Sequence, residues 1–211
     1  NAVLPADFPD ADAQALYAGL REGGDAFDCP LVGGDLAMWS GPLVLGVTVL
    51  GRPGPAGPVL RSGGRAGDVL CVTGRLGGSW RTGRDLTFTP RIAAALELAT
   101  RCELHAMIDL SDGLACDAGH LAAAGELAAE IDADAVPVHP DAPDLHAALT
   151  DGEDYELLLA VPADHIEGLR AQPPHGAELH PVGRLVEGSG AWLVRGDGRR
   201  EPLAGGWEHG G

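Results

Sequence analysis

Lysine is absent from this chain of 211 residues, and all 14 of its cationic side chains are arginine. That absence excludes a phosphate-binding loop built around a lysine, and with it Schiff-base and pyridoxal-phosphate chemistry. Any phosphate must be met by arginine, by backbone N–H groups, or by metal ions held on carboxylates. Positive charge is scarce overall: 31 acidic residues give a net charge of -17, and the arginines are scattered. Nucleic-acid binding, which needs clustered Lys and Arg, is therefore excluded. Long apolar runs are also missing. "GPLVLGVTVLG" is only strand length and "AGHLAAAGELAAE" is broken by Gly and Glu, so no membrane span is expected, because a span needs about 20 residues. The eight histidines form no H-E-x-x-H pair. Cys29, Cys71, Cys102 and Cys116 form no C-x-x-C pair and sit among apolar residues. They read as reduced, buried thiols of a cytoplasmic protein, with neither a disulfide framework nor a zinc site. Asn1 is followed by neither a basic region nor an apolar signal core, which reads as no secretory signal and as a chain cut from something longer.

What is present is enough for a sizeable core, with 45% hydrophobic residues arranged in an α/β pattern. "DADAQALYAGLREGGDAF" predicts an amphipathic helix capped by Asp10 or Asp12, with Leu16, Tyr17 and Leu20 on one face and a stop at Gly23 and Gly24. "PLVLGVTVL" predicts a strand covered on both faces. The Gly- and Pro-rich "GRPGPAGPVLRSGGRAGD" marks a linker, placing a domain boundary near Arg52 and dividing the chain into 1–52 and 53–211. Beyond it "VLCVTG" predicts a strand, "TPRIAAALELATRC" a helix opened by Thr89 and Pro90, and "AMID" a strand leading into a second helix. "AEIDAD", "YELLLAVP", "HPVGRLV" and "AWLVRGDG" follow as strands, with a short helix near "ADHIEGLRA" and a loop at "HPDAPDLH".

Five stretches stand out chemically. In "VGGD" two glycines leave a strand and deliver Asp35, where backbone N–H groups can face an anion; the same residues also suit a turn capped by its own aspartate. In "MIDLSDGLACDAGH" Asp109 ends a strand while Ser111 and Asp112 stand at a helix start, as metal ligands or as a plain N-cap. Two carboxylates 4 Å apart repel by about 4 kcal/mol at an effective dielectric of 20, so a shared cleft calls for a hard divalent cation such as magnesium. "LRSGGRAGD" offers Arg61 and Arg65 to a phosphate, or is simply a flexible linker. "TDGEDYELLLAV" puts Glu153, Asp154 and Glu156 at a strand mouth, and Trp207 in "GGWEHGG" is a stacking surface or a hydrophobic plug.

In order, "LVGGD", "LRSGGRAGD", "VTGRLGGS", "TPR", "MIDLSDGLACDAGHLA", "EIDADAVPV", "GEDYELLLAVP" and "GWEH" resemble the thiamine-monophosphate kinases of the aminoimidazole-ribonucleotide-synthetase-like superfamily. The resemblance runs from about Pro30 to His209. It implies a two-domain α/β (α+β) protein with part of an N-terminal, barrel-forming domain and a larger C-terminal mixed-sheet domain with helices. It implies Mg²⁺- and ATP-dependent phosphorylation of thiamine monophosphate by a homodimer with ATP at the interface. Residue by residue, Asp35, Asp109 and Asp112 are implied as magnesium ligands. Gly34, Asp35, Arg61 and Ser111 fall on ATP, and Glu153 and Trp207 on thiamine monophosphate. The family carries further N-terminal metal ligands that nothing before Asn1 matches, and "GGSWRTGRDLTFTPR" is shorter than the family pattern around Trp80 and Arg81. Two other readings stay open: another ATP-using synthetase of the superfamily, or a catalytically silent, dimerising nucleotide-binding remnant.

Overall fold

The computed structural model describes residues 1–54 and 56–207. The chain divides into two compact units, Asn1–Arg52 and Pro53–Gly211. In the first, β1 (Ala2–Pro5) is the middle of a three-stranded sheet, parallel to β2 (Leu36–Trp39) and antiparallel to β3 (Val44–Leu45). Helix α1 (Asp10–Asp25) joins β1 to β2.

The local sequence signals are partly overridden here. Pro9, not an aspartate, takes the N-cap position of α1; Asp10 and Asp12 fall in the first turn, where their charge complements the helix dipole. The helix runs through Gly23 and Gly24, because the N–H of Ala26 still finds the Glu22 carbonyl and that of Phe27 the Gly24 carbonyl. "PLVLGVTVL" yields only the two residues of β3, and it is covered on neither face: Val47, Val49 and Leu50 are 70–86% exposed. Three short strands and one helix offer no second layer against which that run could pack.

The second unit is a seven-stranded mixed sheet in the order β10-β9-β6-β8-β4-β7-β5. Its strands are β4 (Val69–Val72), β5 (Ala106–Asp109), β6 (Ala128–Asp132), β7 (Leu157–Val161), β8 (His180–Val186), β9 (Gly190–Val194) and β10 (Arg200–Pro202). Side chains alternate across a strand, and β4 shows the consequence. Leu70 and Val72 enter one core with Ile108, Leu158 and Leu185, while Cys71 enters another with Leu159 and Val161. Helices α4 (Leu114–Ala124) and α5 (Leu145–Thr150) cover the first face through Leu114, Leu121 and Leu149. Helices α3 (Ile92–Arg101) and α6 (Ile166–Ala171) cover the second through Leu98 and Leu169.

Two expected boundaries move. Helix α3 begins at Ile92 rather than at Thr89 and Pro90, since Arg91, at its N-cap, is drawn away to a buried carboxylate. The loop at "HPDAPDLH" ends in α5, which Asp144 caps by accepting the N–H of Ala147 at 2.9 Å. Of the four cysteines, Cys71 and Cys102 are buried, but Cys29 is exposed and Cys116 half-exposed. Burial pushes the Cys71 thiol up to about 12. Among the described residues no helix is long and apolar enough to cross a membrane.

Candidate functional site

Strands β5 and β7 lie antiparallel at one edge of the large sheet, with Asp109 opposite Leu157. Their pairing continues past the strand ends. Leu110 N–H donates to the Glu156 carbonyl at 2.8 Å, Tyr155 N–H to that of Leu110 at 2.9 Å, and Glu153 N–H to that of Ser111 at 2.9 Å. Two glycines permit this approach. Gly152 has φ +69°, and a Cβ there would sit 2.6 Å from the Ser111 carbonyl; Gly113 has φ +103° and faces the Leu149 carbonyl at 3.1 Å. Trp207 joins the same corner, its N–H donating to the Asp112 carbonyl at 2.9 Å. Five of the predicted residues are thus neighbours through their backbones: Asp109, Ser111, Asp112, Glu153 and Trp207.

Helix α4 begins beside them. Its N-cap position is Gly113 with no side-chain cap, so neither Ser111 nor Asp112 serves as the plain N-cap their spacing allowed. Asp117, buried in the first turn, accepts the N–H of Asp112 at 3.1 Å. Burial pushes the Asp117 carboxyl up to about 6, and the negative charges of Asp112 and Asp109 push the same way, against the Asp112 N–H and His120. Negative charge is thus concentrated at the end of β5, and nothing in the sequence reading singled out Asp117. Its signal was available as a third aspartate five residues after Asp112, in the first turn of the helix.

The expected trio of carboxylates at the mouth of β7 does not hold together. Asp154 and Glu156 point inward and are bound to arginines; they precede β7, in a stretch where Glu153 and Tyr155 take left-handed φ of +57° and +51°. Asp154 accepts from the Gly77 N–H at 2.8 Å and from Arg84 at 2.8 Å. Glu156 accepts two hydrogen bonds from Arg91, at 2.7 and 2.5 Å, and one from the Thr73 hydroxyl at 2.7 Å. Burial nevertheless pushes the Asp154 carboxyl up to about 6. A cleft of about 590 Å³ opens over these pairs, lined also by Arg75, Phe88 and His139. Only Glu153 of the three stays at the surface corner, accepting from the Tyr155 hydroxyl at 2.7 Å. That bond raises the Tyr155 phenol to about 12, and its ring stacks on Phe88 with centroids 4.5 Å apart.

The remaining predicted residues lie elsewhere. In the first unit Gly34 and Asp35 border a groove of about 750 Å³ lined by Leu4, Leu16, Leu20 and Val47. The glycines precede β2 rather than leaving a strand, and a Cβ at Gly34 would meet nothing within 4 Å. Arg61 is exposed on a 3-10 turn (Arg61–Gly63) that packs where β5 begins, at His105, whereas Asp109 is at its other end. Within its unit Arg61 does not join the carboxylates. Glu208 and His209 of "GWEH" lie outside the described residues.

Residues 65–194 match the family described as AIR synthase related protein, C-terminal domain. Among curated proteins the chain is 34% identical over 199 residues to the thiamine-monophosphate kinase of Rhodopirellula baltica, covering 90% of this chain and 62% of that one. It is 32% identical to the thiamine-monophosphate kinase of Halobacterium salinarum, covering 96% and 73%. Among solved structures it superposes with a TM-score of 0.74 on the thiamine-monophosphate kinase of Stenotrophomonas maltophilia, at 28% identity over 96% of this chain and 72% of that one. The fold also matches a ThiL protein complexed with AMPPCP and TMP, with a TM-score of 0.73 at 24% identity, over 99% of this chain and 72% of that one. It likewise matches the Escherichia coli hydrogenase maturation protein HypE, with a TM-score of 0.70 at 20% identity, over 100% and 72%. The chain therefore spans about three fifths of the length of the Rhodopirellula relative.

Proposed function

The chain belongs to the thiamine-monophosphate kinases among the AIR synthase related proteins, and from that premise we propose that it transfers the γ-phosphoryl group of ATP to the phosphate of thiamine monophosphate. In that reaction the bond between the γ-phosphorus and the bridging oxygen of ATP breaks, and a phosphate oxygen of thiamine monophosphate bonds to the γ-phosphorus. The products are ADP and thiamine diphosphate. The observation that carries the reading is the seating of Ser111, Asp112, Glu153 and Trp207 at one corner by backbone hydrogen bonds.

The residues present fit magnesium. Asp109 and Asp112 supply hard carboxylate oxygens, and their negative charges lie close enough to Asp117 to add to the upward push that burial gives its carboxyl. Asp109, Asp112 and, in the first unit, Asp35 would hold Mg²⁺. When bound, the ion neutralises phosphate oxygens and stabilises the charge that builds up during transfer. The chain's own groups do the rest. Ser111 and Gly34 contact ATP, Arg61 adds an arginine for its phosphates, and Glu153 and Trp207 position the thiamine. No protein nucleophile is required, because direct transfer between two polyanions depends on positioning and charge neutralisation. We place the enzyme in the cytoplasm, in keeping with the buried thiols of Cys71 and Cys102, and as a homodimer, in keeping with the exposed apolar strands Leu36–Trp39 and Val44–Leu45.

Phosphorus NMR of the protein with Mg-ATP and thiamine monophosphate tests the reading. Equimolar thiamine diphosphate and ADP are expected. Asp112→Asn is expected to abolish turnover while leaving the circular dichroism unchanged, and full turnover by that variant would refute the metal assignment.

A further inference from the structure

Helix α4 places beside Asp112 two donors that the kinase reading does not use, Cys116 and His120. One ligand atom each from Asp112, Cys116 and His120 lies within 4.8 Å of the other two. Cys116 and His120 are four residues apart on α4 and so share a face. The Cys116 Sγ is 3.7 Å from Nε2 and 4.0 Å from Nδ1 of the imidazole. A tetrahedral ion with a sulfur ligand at about 2.3 Å and a nitrogen ligand at about 2.0 Å requires these two atoms to stand about 3.5 Å apart. The pair is therefore already spaced as ligands, and His120 is exposed, leaving an entry path from solvent. A thiolate, an imidazole and a carboxylate form a mixed set that favours zinc-class ions over magnesium, which takes oxygen ligands almost alone.

The outer shell fits as well. With Nε2 turned to the ion, Nδ1 faces the buried Asp117 carboxylate at 3.8 Å, an arrangement that orients a metal-bound histidine once the gap closes to a hydrogen bond. The other oxygen of Asp117 accepts the Asp112 N–H, so the same carboxylate steadies both flanks of the set.

We propose that Asp112, Cys116 and His120 form a three-ligand site for a zinc-class divalent ion, with a fourth position open to solvent or a ligand oxygen. On binding, the Sγ–metal bond forms as the thiol proton leaves to solvent. The cysteine spacing hid this site because its donors are of three types and only one is cysteine. An ion seated here takes the Asp112 carboxylate away from magnesium, so zinc inhibits the enzyme; this consequence rests on the kinase reading, whereas the binding itself does not.

Titrating the reduced, full-length chain with Co²⁺ in the absence of ATP tests the site. A near-ultraviolet thiolate-to-cobalt charge-transfer band at one equivalent is expected. It should be lost in Cys116→Ser, retained in Cys29→Ser, and shifted at least about tenfold to higher Co²⁺ concentration in His120→Asn. No band, or a band unchanged in Cys116→Ser, would overturn the site. Zinc should inhibit thiamine diphosphate formation by the parent chain more than that by Cys116→Ser, and equal inhibition would refute the competition. A chain that shows the cobalt band but makes no thiamine diphosphate would sink the kinase reading and leave the metal site standing.

Discussion

Replacing Arg84 by methionine isolates what the arginine does for the buried carboxylate of Asp154. The two are 2.8 Å apart, with the Asp154 side chain 4% exposed and that of Arg84 25% exposed. Even with this partner, burial holds the Asp154 carboxyl at about 6 against an ordinary 3.8. A folded-state pKa above the unfolded one means that the folded chain binds the extra proton between those values. Stability therefore falls as pH rises through that window. Without Arg84 the carboxylate becomes costlier still, and the pKa climbs further. Breaking a buried pair costs about 3–5 kcal/mol, and the partial exposure of Arg84 places this one nearer 2–3. At pH 4 the folded carboxyl is protonated with or without the arginine, so only the hydrogen bond from Arg84 to the Gly77 carbonyl is lost there, about 1 kcal/mol. Urea unfolding of parent and Arg84→Met, followed by tryptophan fluorescence from pH 4 to pH 8, should give a difference that grows by about 1–2 kcal/mol with rising pH. A penalty equal at pH 4 and pH 8 would show that lost packing, not charge, is responsible, and would refute the reasoning.

Gly152→Ala adds a methyl 2.6 Å from the Ser111 carbonyl at φ +69°, and should cost about 2 kcal/mol or more in urea unfolding. Leu159→Ala empties a fully buried site between β7 and the α3–α6 face, and should lower stability by about 2–5 kcal/mol. Thiol labelling should proceed first at exposed Cys29, whereas Cys71, buried and raised to about 12, should react only on unfolding. Trp207→Ala should raise the KM for thiamine monophosphate about tenfold with a smaller change in kcat, matching the loss of about 1–1.5 kcal/mol of ring stacking.

The legible parts of the fold are those where local pattern and tertiary burial agree. "VLCVTG" and "YELLLAVP" became β4 and β7 because both faces of the sheet are covered there, so a continuous apolar run is what burial requires. The same type of run in "PLVLGVTVL" failed, since nothing in its own unit covers it. Strands β1, β2 and β10, of three or four residues each, were too short to carry a period. The large helices were read correctly, but their starts moved where a side chain was claimed by tertiary contacts, as with Arg91 and Glu156.

The acidic stretch "GEDYEL" shows why residue type alone does not identify the working carboxylates. Three acids within four residues look equivalent in sequence, yet Asp154 and Glu156 are buried while Glu153, at a left-handed φ of +57°, stays half-exposed. The inward pair is held by Arg84 and Arg91, which lie 70 and 65 residues away in the chain, a separation no local pattern reveals. Their charges are met by arginine and serve the fold. At Asp117 the facing groups are instead Asp112 and Asp109, with one histidine. Asp117 is thus pushed up by burial and by acidic neighbours, whereas Asp154 and Glu156 are each held by an arginine. That distinction is drawn by tertiary partners rather than by composition, so residue type alone does not assign these carboxylates their roles.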